Sequence, residues 1–142
     1  MYFCKKLKIM KDTQLNVEKQ FTYWLESSDD DFNTMLVLFS SKKYNWALFM
    51  GHIAIEKLLK AYFIAKNKNH PPYTHNLYRL AELSNMEISE EHAEWLFKIT
   101  TFNINARYDD YKREFYTMCT LSFTKEWIEK IKKIQQWIKQ ML

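Results

Sequence analysis

The chain contains one glycine, Gly51, and two prolines, Pro71 and Pro72, in 142 residues. Tight turns are built largely from glycine, proline and asparagine, so a sheet protein of this length would lack its punctuation. Long helices joined by a few polar connections fit the composition better. A single glycine also excludes the glycine-rich phosphate loop and the dinucleotide fingerprint. There are two cysteines, Cys4 and Cys119, and no Cys-x-x-Cys pair, which excludes a zinc knuckle and a thioredoxin-type motif. The four histidines are His52, His70, His75 and His92. None stands at ligand spacing from another on an expected helix, so neither a metal site nor a cofactor is expected. No Gly-x-Ser-x-Gly elbow is present. No apolar run reaches the ~18 residues that a membrane-spanning helix requires. Lys5, Lys6 and Lys8 are not followed by the apolar core of a signal peptide, so the expected compartment is the cytoplasm.

Hydrophobic residues make up 47% of the chain and aromatics 17%, ample for one core without covalent staples. The net charge of +4 is compatible with an anionic ligand but falls short of a dedicated DNA binder's footprint. Residues 1–13 read as a loose tail, and residues 14–142 as a single helical domain. From Gln14 to about Ser40, apolar residues recur at three- and four-residue steps: Val17, Phe21, Trp24 and Leu25, then Phe32, Met35, Leu36 and Phe39. Asp29-Asp30-Asp31 sits between the halves, and one long helix is the preferred reading.

Tyr44 to Ala65 is the strongest helix. It is apolar around most of its circumference, as expected of an element buried on several sides. The exception is a stripe at four-residue steps, His52, Glu56 and Lys60, with Lys57 on its flank. Gly51 inside this helix costs about 1 kcal/mol relative to alanine, which suggests close approach by another helix. A loop spans Asn67 to Thr74, followed by a short helix from His75 to Leu83. Ser89 reads as an N-cap with Glu90 and Glu91 behind it, starting a helix that runs out near Asn103 to Asn105. Ala106 to Cys119 is dense in charge and tyrosine without clean periodicity and reads as a loop with a helical turn. A last helix starts near Ser122 or Thr124, with a seam of Trp127, Ile131, Ile134, Ile138 and Met141. The expected fold is all-α: an up-and-down helical bundle of four main helices plus a short one.

Three stretches stand out in order: Ala54-Ile55-Glu56-Lys57-Leu58-Leu59-Lys60-Ala61, His75-Asn76-Leu77-Tyr78-Arg79-Leu80, and Ala106-Arg107-Tyr108-Asp109-Asp110-Tyr111. Their order and separation over roughly residues 20 to 140 resemble the HEPN domain family. That resemblance implies a helical bundle, usually a homodimer, with a basic cleft for a nucleotide or an RNA backbone. It also implies association with a nucleotidyltransferase partner in a toxin–antitoxin-like pair. Some members are metal-independent ribonucleases that use an arginine followed, after four to six intervening residues, by a histidine. Here Arg107 matches the arginine, but the positions after those intervals are Lys112, Arg113 and Glu114, and no histidine follows Arg107. Histidine supplies both acceptor and donor near neutral pH, whereas lysine and arginine stabilise charge. The resemblance therefore points to a nucleotide-binding module ahead of an enzyme. The alternatives are a ribonuclease using Arg107 with a displaced base, Glu114 or His75, and a structural protein-interaction domain.

Arg107 can fork two hydrogen bonds onto a phosphate; its competing role is a surface ion pair with Asp109 or Asp110. Tyr108 and Tyr111 can stack on a base or anchor a loop to the bundle. Lys57 and Lys60 can raise the local potential, though Glu56–Lys60 also reads as a pair anchoring the central helix. His75 opens a helix whose N–H groups attract anions, or hydrogen-bonds to the preceding loop.

Overall fold

A computed structural model describes residues 2–142, which form six helices and, among these residues, no strand. They are α1 (Tyr2–Ser40), α2 (Tyr44–Asn67), α3 (Leu77–Leu83), α4 (Glu90–Arg107), α5 (Asp109–Met118) and α6 (Leu121–Gln140). Helix α2 is the axis of the bundle and packs against all five others. Its buried residues lie on every side, including Leu48, Ile55, Leu58, Leu59 and Ile64. Gly51 explains how the neighbours come so close. A Cβ there would lie 2.6 Å from Ile131 Cδ1 of α6 and 2.9 Å from Met35 Sδ of α1.

Three helix starts follow their local chemistry. Asn76, Ser89 and Thr120 each accept a hydrogen bond from the backbone N–H three residues on, capping α3, α4 and α6. The turn between α1 and α2 closes with Lys43 N–H donating to the Leu38 carbonyl and Lys42 in the left-handed region at φ 63°. No helix among the described residues is long and apolar enough to cross a membrane.

Three expectations are corrected. The loose tail of residues 1–13 is helical from Tyr2 onward. That stretch has no breaker to stop a helix, and the lack of an apolar stripe hid it. The expected loop of residues 106–119 contains a ten-residue helix, α5, which buries only Phe115 and so shows no apolar period. The short helix starts at Leu77, with His75 in the approach to its Asn76 cap. The Cys4 side chain lies outside the described residues. Cys119 is a buried free thiol, its pKa pushed up to about 12 by burial.

Candidate functional site

The polar stripe of α2 is buried: His52, Glu56 and Lys60 are 0%, 5% and 6% exposed. Burying charge is costly unless each group is partnered, so the partners define the site. Glu56 uses both oxygens. Oε1 accepts from His75 Nδ1 at 2.7 Å, and Oε2 accepts from Lys60 Nζ at 3.1 Å. Lys60 also lies 5.0 Å from the centre of the Trp24 ring, a cation–π contact from α1.

His52 continues the network toward α4. Its Nε2 donates to the His75 carbonyl at 2.9 Å, and its Nδ1, 3.2 Å from Asn103 Nδ2, accepts from that amide. The two bonds together fix one neutral tautomer. Burial holds His52 below its ordinary pKa of 6.5, although the bond to the His75 carbonyl and the Glu56 carboxylate pull the other way. His75 and Arg107 add to the lowering, so the guanidinium is close enough to be felt. Arg107 Nε points at the Asn103 carbonyl at 3.4 Å, one turn back along α4.

Motifs separated by 19 to 51 residues in the chain therefore meet. Glu56 and Lys60 of α2, His75 of the loop before α3, and the end of α4 at Arg107 are joined through His52 and Asn103. The Pro71-Pro72 loop ends where Thr74 Oγ1 accepts from Asn76 N–H, and Leu77 N–H donates to Thr100 Oγ1. These bonds pin His75 against α2. Its side chain is half exposed, and its Nε2 has no partner among the described residues.

Arg107 is exposed and makes no ion pair among the described residues, so the competing bridge to Asp109 or Asp110 does not form. Its guanidinium carbon lies 5.8 Å from the centre of the Tyr108 ring. Tyr108 and Tyr111 are 56% and 51% exposed, which leaves their faces open to a base. Tyr111 lines a cavity of about 170 Å³ with Asn105, Glu114 and Met118.

Lys57 belongs elsewhere. Its ammonium donates to Ser27 Oγ at 2.8 Å and meets Asp31 Oδ2 at 2.6 Å, the latter an ion contact at a poor hydrogen-bond angle. It ties α2 to α1 on the flank of the stripe, and Lys60 is neutralised inside the network. Asn103, 2% exposed, is the member that sequence reasoning missed. Its one signal was a polar residue four positions before Arg107, between buried Phe102 and Ala106. No cluster of three or more metal-ligating side chains exists among the described residues.

The family model of the HEPN domain matches residues 21–141. The chain belongs to the HEPN domain family. Membership makes it a nucleotide- or RNA-related helical module, and the matched span runs from mid-α1 through α6. No curated protein and no solved structure matches the chain.

Proposed function

We propose that this HEPN chain is a nucleotide-binding module in which Arg107 contacts phosphate, with Tyr108 and Tyr111 beside it for a base. The supporting observation is that Arg107 is exposed and unpaired at the outer end of a network whose other charges satisfy one another. An unpaired guanidinium beside an open aromatic ring suits a phosphate joined to a planar base. In this reading Glu56, Lys60 and His52 hold the scaffold, and His75 presents its free Nε2 at the edge. The module acts as a cytoplasmic homodimer, paired with a nucleotidyltransferase in a toxin–antitoxin-like arrangement.

A second reading, a metal-independent ribonuclease, is favoured by one feature. The buried Glu56 carboxylate orients His75 through Nδ1, the arrangement that prepares a histidine Nε2 for proton transfer. His75 would then replace the histidine missing after Arg107.

One experiment separates the two. Wild type, Arg107→Ala and His75→Gln, each checked for folding, are incubated with single-stranded RNA in chelator, and their melting temperatures are read with and without ATP. The binding module predicts intact RNA and an ATP-dependent rise in melting temperature that Arg107→Ala loses. RNA cleavage that disappears in both variants would replace this reading with the ribonuclease.

A further inference from the structure

Helix α2 begins without a side-chain cap. Lys43 stands at the cap position and its side chain makes no capping bond. The first intrahelical bond runs from Ala47 N–H to the Lys43 carbonyl, leaving the N–H groups of Tyr44, Asn45 and Trp46 without acceptors among the described residues. A bare helix start is common enough to mean little by itself.

The second observation is Asn45. The residue is 7% exposed, and its side chain makes no hydrogen bond among the described residues. Unlike Asn103 Oδ1, its amide is not sealed away from solvent. Asn45 lines two adjoining cavities of about 350 and 380 Å³, which also share Tyr116 of α5. An amide that has no protein partner and opens onto a cavity keeps its bonding capacity for whatever occupies that cavity.

The walls specify the charge of that partner. Lys112 and Arg113 line one cavity and Lys42 the other, and none of the three makes an ion pair among the described residues. Lys112 is held 5.4 Å from the centre of the Trp46 ring, in the first turn of α2. Asp109 is the one carboxylate on the wall, and it sits in the first turn of α5, where the helix dipole favours it. Three cations, three free N–H groups and an amide donor against one carboxylate favour an anion with several acceptor oxygens.

We propose that the start of α2 and the outer face of α5 form a phosphate-binding site, with Asn45, Lys112 and Arg113 as its side-chain donors. Asn45 lies seven residues from His52, about 10 Å along α2, so its amide is outside the buried His52–Glu56–Lys60 stripe, and the proposal does not rest on the reading of Arg107 given above. Tyr116, 69% exposed at the rim, is open to a base if the phosphate belongs to a nucleotide.

The test is a titration of isotope-labelled protein with inorganic phosphate at constant ionic strength, followed by the Asn45 side-chain amide and the Tyr44–Trp46 backbone signals. Saturable shifts are expected at millimolar phosphate. Arg113→Gln, on an exposed position that the fold tolerates, should weaken binding at the Asn45 signals at least fivefold. Asn45→Leu should abolish the response; if that variant fails to fold, Arg113→Gln carries the test. A parallel titration with AMP identifies the source. Tighter binding than phosphate assigns the site to a nucleotide, and equal binding assigns it to a lone phosphate group. Unmoved Asn45 signals, shifts that never saturate, or an unchanged affinity in Arg113→Gln would overturn the proposal.

Discussion

The middle of α2 and its first turn carry polar groups on one helix with opposite outcomes. At His52, Glu56 and Lys60 the groups are buried and partnered, apart from Asn103 Oδ1 at the edge of the network. Asn45 is about as little exposed as Lys60, but its amide has no hydrogen-bond partner among the described residues and opens onto cavities lined by cations. Satisfied polar groups rigidify a core, whereas unsatisfied ones leave bonding capacity for something else. Arg107 lies where the first region reaches the surface.

The sharpest way to break the comparison is to remove the hub of the satisfied region. Glu56→Ala leaves Lys60 buried without its carboxylate, and an uncompensated buried charge costs about 3–5 kcal/mol. Denaturant unfolding should show a loss of that size. Asn45→Ala is the counterpart. It removes no existing bond and should leave stability within about 1 kcal/mol of wild type.

His52→Leu comes next. It strands the His75 carbonyl and the Asn103 amide inside the protein, for a loss of about 1–3 kcal/mol. The pH dependence has a definite sign. The folded pKa of His52 is below 6.5, so between these values the unfolded state binds more protons. Stability should therefore be fully present above pH 6.5 and fall as the pH drops below it. In His52→Leu this part of the slope should vanish, as read from unfolding midpoints at pH 5 and pH 7.5.

A second pH effect is expected at the other end of the scale. The Cys119 thiol is raised to about 12 in the fold against an ordinary 9.0. Its contribution is intact below pH 9 and is lost as the pH rises above it. Cys119→Ala should flatten that alkaline decline, and thiol-reactive dye should label Cys119 slowly in the native state and quickly in denaturant. The smallest effect on stability is at Arg107, whose exposed side chain makes one long hydrogen bond. Arg107→Ala should shift stability by less than about 0.5 kcal/mol.

What could be read from the residues follows the same division. The central helix, the Ser89 cap and the α6 seam were legible because each announces itself locally, by period or by capping chemistry. The His52–Glu56–Lys60 stripe was legible as a face, since four-residue steps align on a helix. Its partners were not, because they arrive from other elements: a carbonyl in the loop before α3, an amide in α4 and an indole in α1. Helix α5 escaped notice because it hides only Phe115 and leaves tyrosines and charges outside. Lys57 seemed available for a ligand only while Asp31, 26 residues earlier, was an unplaced acid. Asn45 gave no signal at all, since an asparagine at a helix start is ordinary and its isolation exists only in three dimensions.

The most direct test of the central claim is a calorimetric titration of ATP, without added metal, into wild type and Arg107→Ala at matched stability. Saturable binding to the wild type and at least a tenfold loss in the variant, corresponding to about 1.4 kcal/mol, are expected. Equal binding by both proteins would contradict the assignment of Arg107 to phosphate, and no binding by folded wild type would contradict the nucleotide module itself.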